Sequence, residues 1–511
     1  MKNWSFARAA VLGSLTAGCT ISRDVTFGAG GNIAPPASYE KSILVPGSSF
    51  HGIHGISEGP GHALYGGSVL GQAIYKIAPE DGEVSVFVPP PEGMADDLVF
   101  GEDGSLYWTA FLLGKVYRRS ADGIVKVIAE GLPGANSLDL GPDGRLFVSC
   151  VFLGDGLYEV DPEGEHEPAL LLRDIGGLNG FEIGADGSLY GPLWFRNQVV
   201  RIDLQTLDMD VVADGFDVPA AVNFGPDGIL YVVENVSGRL YSVDVSSGKK
   251  SLVSKLSSNL DNLAVTEDGD VFVSNMTDNA IMKVDVSSGE VKTIVHGHLS
   301  IPGGLAVKDN KLFVADLFAL RYADADSGNI HDIERVVGRH EYPSMASFAG
   351  SDLLTTSWYT GTLIVYDGMT GQQTAVVHNL DAPYGLAEDG TGNVLVAEYG
   401  SGCIARVDLQ TKLKNCLLSG LEGPVGLAVS ADGESVYVSE FNSGRIVKYD
   451  AGTEEVVVIS EGLSQPEGLA LEGTSLFIAE AGRGRVLKLS LIDGEQTIIG
   501  TLPMGLPSVE G

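Results

Sequence analysis

Five side chains with oxygen or nitrogen donors recur at nearly even spacing in the first half of the chain: His54, Asp96, Asn136, Asn179 and Asp261, with Asn262 following the last. Each stands at the same point of a repeated unit, just ahead of an apolar run such as "SLDL" or "GFEI". The fifth unit carries Ala220 there. Carboxylates and amide oxygens converging on one axis suit a hard divalent cation. Calcium takes about six to eight oxygen ligands, and neutral Asn carbonyls count among them. Such an ion polarises a carbonyl or phosphoryl oxygen, or lowers the pKa of a bound water. His54, Asp96 and Asp261 are then candidates for the catalytic nucleophile or base. Turn geometry alone also favours Asn and Asp at a strand opening. It does not explain why the later units read Gly303, Ser344, Tyr384, Val425 and Glu467 at that point. The split predicts a polar channel mouth in the first half and a structural second half.

The elements that would bring these residues together are legible as a repeat. Eleven units begin at His54, Asp96, Asn136, Asn179, Ala220, Asp261, Gly303, Ser344, Tyr384, Val425 and Glu467, spaced by 40 to 43 residues. Each holds four short apolar runs; in the tenth they are "GLAVS", "SVYVSE", "RIVKYD" and "EVVVIS". Runs rich in Val, Ile and Tyr, separated by Asp-Gly and similar residues, read as strands. Four antiparallel strands per unit, repeated radially, make a β-propeller blade, and common rings have about four to eight blades. The expectation is therefore an all-β chain of eleven four-stranded blades in two consecutive rings of five to six, 41–300 and 301–511. One oversized ring would also satisfy the spacing. In either case the innermost strand of each blade lines the channel, and its entrance faces the ligand side. The leader "KSILVPGSSFHGI", Lys41 to Ile53, matches the fourth run and exit of a unit, so it is expected to complete a blade begun elsewhere.

Other recurrent residues read as structural. Glu234, Glu440 and Glu480 stand five residues before Arg239, Arg445 and Arg485, bracketing tight turns that ion pairs would tie. Asp186-Gly187 and Asp432-Gly433 are turn chemistry. Trp108, Trp194 and Trp358 fall on or just after second strands and read as packing. No nucleophile elbow, HExxH helix, P-loop or dinucleotide fingerprint occurs in a credible context.

Composition bounds the class. The 511 residues are 44% hydrophobic with 68 glycines and a net charge of -35, which describes a turn-rich globular chain that repels nucleic acid and anionic membranes. Lys2 and Arg8 precede the apolar "AAVLGSLTAGC", a signal segment over 1–19. Its ending resembles a bacterial lipobox, with Thr16 where an aliphatic residue is usual, so Cys19 is the expected lipidation site; ordinary secretion is the alternative. Residues 20–40 read as a flexible tether. The expectation is an exported monomer at the periplasmic or cell-surface face of the envelope, touching a membrane only through its lipid. Cys403 and Cys416 flank a two-strand turn and are candidates for a disulfide, while Cys150 reads as a buried thiol.

The segments "GANSLDLGPDGRLFVS", "GLNGFEIGADGSLYG" and "NLDNLAVTEDGDVFVS" resemble the channel motifs of the calcium-dependent six-bladed propeller hydrolases, the gluconolactonase/senescence-marker group and the paraoxonases. The resemblance implies Asn136, Asn179 and Asp261 as metal ligands. Asn262 would complete the Asp-Asn pair of the paraoxonase pattern. That family also has a Glu ligand in a "G-E-x-P" context; here "SEGP" places the acid at Glu58, four residues after His54. The implied function is an exported, calcium-dependent hydrolase of a lactone or related ester. The repeat is equally similar to the NHL type, which implies instead a non-catalytic surface propeller that binds a protein or glycan. A third reading, a lyase opening cyclic esters by elimination, needs a His base beside the metal, and the sequence displays no strong cluster of that sort.

Overall fold

The computed structural model describes residues 33–34, 42–337, 342–368 and 370–502. The signal segment with Cys19, and the tether apart from Ile33–Ala34, lie outside the described residues. Each repeat folds into its own four-stranded antiparallel sheet, eleven in all, and the described residues contain no α-helix. The tenth is typical: Pro424–Val429, Ser435–Glu440, Arg445–Asp450 and Val456–Ser460, from innermost to outermost. Its first three strands are largely buried and its fourth largely exposed, as stacked blades require. Asp-Gly turns link the first two strands; Gly187 takes φ 76°, and Asp186 Oδ1 accepts the Ser188 N–H at 3.0 Å. This is an all-β, multi-bladed propeller architecture.

The chain divides into two compact units, one of them Gly47–Ser300 and the other running from Ile301 toward the C-terminus. The first holds six blades, with innermost strands Ile56–Gly59, Leu98–Phe100, Ala135–Leu140, Glu182–Ile183, Pro219–Phe224 and Leu260–Val265. Each lies beside the next, and the last lies beside the first, so the ring is closed. The seam between blades 6 and 1 is packed by Phe50, Ile53, Ile56, Leu64 and Tyr75 against Phe272 and Ile281. Phe50 and Ile53 are 0% exposed; burying each contributes about 1.5–3 kcal/mol.

The leader does not complete a blade. Residues 42–55 form no strand, and every blade draws its four main strands from its own unit. The chain over Phe50–Ile53 is instead held by one side chain of blade 6. Asn279 Oδ1 accepts the N–H groups of Gly52 at 3.0 Å and Ile53 at 3.3 Å, while its Nδ2 donates to the Phe50 carbonyl. Ser48 Oγ donates to the Leu299 carbonyl at 2.7 Å. Pro46, Gly47 and Gly52 interrupt the run that resembled a strand, so a side-chain clamp supplies the pairing that a ladder would have given.

The second unit has five sheets in succession, with innermost strands Leu305–Lys308, Met345–Ala349, Pro383–Glu388, Pro424–Val429 and Pro466–Glu472. The short strand Ile33–Ala34 pairs in parallel with Gln496–Thr501, the outermost strand of the last sheet. A disulfide joins Cys403 and Cys416 across the third and fourth strands of the ninth blade, with Cα atoms 6.0 Å apart. Cys150 is buried as a free thiol, and burial pushes it up to about 12. The Glu–Arg pairs do more than tie a hairpin. Glu440 accepts the Arg445 Nε–H at 2.7 Å and also the Glu422 N–H at 2.8 Å, so a buried acid anchors the loop entering its own blade. Glu480 does the same for Ser464, and Glu234 for Asp217.

Candidate functional site

The antiparallel pairing of first and second strands sets where each opening residue stands. Asp96 N–H donates to Thr109 O at 2.9 Å, His54 N–H to Gly67 O at 2.8 Å, and Asn179 N–H to Pro192 O at 3.1 Å. Neighbouring blades approach closely here. The Gly55 N–H donates to Asp96 O at 2.7 Å, and a Cβ on Gly55 would lie 2.5 Å from that oxygen, so only glycine fits.

Closure of the ring brings three opening residues together from blades 1, 2 and 6. His54 Nδ1 lies 3.4 Å from Asp96 Oδ1 and 3.4 Å from Asp261 Oδ2. The ligand atoms of all three stand within 4.8 Å of one another. Asn136 of blade 3 joins them by donating Nδ2–H to Asp96 Oδ2 at 2.6 Å. Burial drives the Asp96 carboxyl up, to about 8; the charges of Asp261 and Asp97 add to the shift, while His54 and the Asn136 hydrogen bond oppose it. Burial disfavours the His54 imidazolium, but the hydrogen bond and charge of Asp261, with the charge of Asp96, outweigh it and raise His54 above its ordinary value. A cluster in which burial disfavours the Asp96 anion and an imidazole stands between two carboxylates favours a bound positive charge, whether proton or metal.

The residues present fit a metal ion. Ligand atoms about 2.1 Å from one ion in a tetrahedral set stand about 3.4 Å apart, which matches the two separations from His54 Nδ1. Two carboxylates and an imidazole form a mixed nitrogen–oxygen donor set, of the kind bound by zinc, manganese or iron, whereas calcium prefers oxygen alone.

One residue further along the strands lies a brace. Asp97 Oδ2 accepts Ser137 Oγ–H at 2.6 Å, and Asp97 Oδ1 accepts Asn262 Nδ2–H at 3.1 Å, a contact between residues 165 apart in sequence. Burial raises the Asp97 carboxyl to about 6. Asn262 is therefore committed to Asp97, beneath the trio. Two residues beyond, Asp139 accepts the Ile183 N–H at 2.7 Å, and Glu182 accepts Asn223 Nδ2–H at 3.1 Å and the Phe224 N–H. Burial raises Asp139 well above the usual carboxylate range, and Glu182 to about 7. Sequence reasoning missed Asp97, Ser137, Asp139 and Glu182. The signal was present: Asp139, Glu182 and Asn223 replace the Ala of the repeat's "GLAV" in three consecutive units.

One expected ligand, Glu58, stands apart from the trio. Glu58 lies on the strand Ile56–Gly59 and bonds His62 Nδ1 and the Glu267 N–H, both at 2.9 Å, so it closes the blade 1–6 seam. It sits four residues beyond the opening, past the channel mouth. Asn179 occupies the opening of blade 4, buried and fixed through its backbone. The His-centred cluster that the sequence did not display is also present, because His54 gathers its carboxylate partners only on closure.

Comparison with family models and with curated proteins gives no match. Among solved structures, the chain is similar to a streptogramin B lyase (16% identity, 53% of this chain and 93% of that one, TM-score 0.41). It is also similar to the extracellular domain of a putative one-component system from B. thetaiotaomicron (12% identity, 88% and 66%, TM-score 0.31). A third is virginiamycin B lyase from Staphylococcus aureus (14% identity, 60% and 92%, TM-score 0.25). At these identities and scores nothing of their chemistry transfers to this chain.

Proposed function

We propose that the six-bladed unit is a metal-dependent hydrolase that opens a lactone or related ester at its channel mouth. The observation that carries this reading is the meeting of His54, Asp96 and Asp261 with Nδ1–carboxylate separations of 3.4 Å. Those three would hold the ion. Asn136 orients Asp96, and Asp97 with Asn262 and Ser137 props the strands beneath. A divalent ion bound there supplies Lewis-acid activation of a carbonyl and an acidified water. The imidazole in the donor set favours zinc or manganese over the calcium that the sequence resemblance implies. A disulfide in the second unit fits an oxidising compartment and so supports export.

The test is a lactone and ester panel assayed after chelation and after return of zinc, manganese or calcium. Activity should vanish and return with one of the first two. Asp261→Asn should lower kcat/KM about 100-fold or more and abolish the metal-induced rise in Tm. If no metal raises Tm and no ester is consumed, the hydrolase reading fails and a non-catalytic binding propeller takes its place. His54, held between two carboxylates, specifically favours a second reading, elimination with His54 as base. Isotopically labelled water separates the two: hydrolysis labels the product acid, elimination does not.

A further inference from the structure

We infer that the substrate carries a bulky apolar group, aryl or branched alkyl, that lies against an aromatic wall on blades 2 to 4 while its carbonyl faces the trio. This rests on the hydrolase reading of the same site. The second strands Leu106–Ala110, Leu146–Cys150 and Ser188–Leu193 end at the blade edge where the first strands open. Immediately beyond them come Phe111, Phe152, Trp194 and Phe195. The Phe152 ring lies 6.2 Å from Phe111, 5.3 Å from Trp194 and 5.8 Å from Phe195, edge-on to each. The wall is thus continuous over three blades. It is only partly covered: Phe195 is 56% exposed, and Leu113 and Leu153 beside it in the same loops are 48% and 40% exposed.

One further feature sets this wall apart from ordinary packing. Phe152 has φ 66°, a left-handed conformation costly for a bulky side chain, so the ring is held in place against local preference. In the matching loops of blades 5 and 6 stand Asn235-Val236 and Met276-Thr277, and Asn259 hydrogen-bonds the Asn235 and Thr277 side chains. Behind the wall, the blade 5 opening, Ala220 with Ala221, is 0% exposed and packs in one cluster with Trp194, which backs the exposed rings. The same edge of the ring thus carries the charged trio on blades 6, 1 and 2 and a partly exposed aromatic wall on blades 2 to 4. A pocket with a few convergent polar groups and an apolar flank positions a ligand that is itself divided in this way.

Two measurements test the inference. Wild-type kinetics on γ-butyrolactone and γ-phenyl-γ-butyrolactone should favour the phenyl compound by about tenfold or more in kcat/KM. Phe195→Ser and Leu153→Ser should each pull that ratio toward one. Separately, the non-hydrolysable 3-phenylcyclopentanone should quench tryptophan emission in the full-length protein, and Trp194→Phe should lose that quenching. Quenching through Trp194 with no lactone opened would uphold the apolar wall and sink the hydrolase reading. Lactone opening without phenyl preference, or quenching that survives Trp194→Phe, would overturn the wall whatever the activity. The wild-type ratio stands as a test even if a variant fails to fold.

Discussion

Glu182 shows how a single residue of the channel couples stability to pH. Its carboxyl is enclosed between blades 4 and 5, and burial holds it near 7 against 4.5 in a free chain. The folded pKa is the higher, so the folded state binds the proton more tightly. The contribution to stability is complete below about 4.5 and is lost as pH rises through about 7. Glu182→Gln keeps an oxygen for the Phe224 and Asn223 donors and removes the titration. Urea unfolding should find this variant within about 0.5 kcal/mol of wild type at pH 5 and about 1–2 kcal/mol more stable at pH 8.5. Glu182 was legible in the sequence only as a departure from the repeat. A carboxylate in place of the Ala of "GLAV" marks a channel-facing position, but whether it binds a ligand or a backbone N–H depends on its neighbour blade.

At the scale of elements, the blades were readable because each is built locally. Four apolar runs and their Asp-Gly turns lie within one unit, and the four main strands of every sheet pair in sequence order. The leader was misread for the complementary reason. Its apolar residues Phe50 and Ile53 match a strand pattern, but they fill the seam between blades 1 and 6, and their backbone is satisfied by Asn279. Pattern alone does not separate a strand from a plug that buries the same residue types. Asn279→Ala should strip acceptor and donor from this buried segment and cost about 2–3 kcal/mol. The variant should shift the urea midpoint of the six-bladed unit. Asn279 is 0% exposed and its side chain bonds Phe50, Gly52 and Ile53 of the leader, so metal affinity in the folded state should change little.

At the scale of the whole molecule, the site depends on ring closure, since Asp261 belongs to the last blade of its unit and His54 to the first. Residues 47–300 expressed alone should therefore fold and keep the metal-induced rise in Tm. The same piece ending at 255, which lacks blade 6, should lose it. Differential scanning fluorimetry with and without zinc or manganese reads both outcomes. The second unit differs in character. Its first innermost strand leaves Leu305 56% and Val307 74% exposed, and its internal disulfide lies on the outer strands of a blade.

The sequence by itself determined the strand period, the turn chemistry, eleven blades and a polar run of strand openings confined to the first half. All of these follow from interactions within about forty residues, where periodicity and propensity act directly. Only the tertiary structure decided which openings meet. It drew His54 to Asp96 and Asp261, joined Asn262 to Asp97, turned Glu58 into the seam and lined aromatic rings along blades 2 to 4. Those outcomes depend on the blade-to-blade rotation and on closure of the ring. Both are set by packing between blades whose residues are distant in sequence.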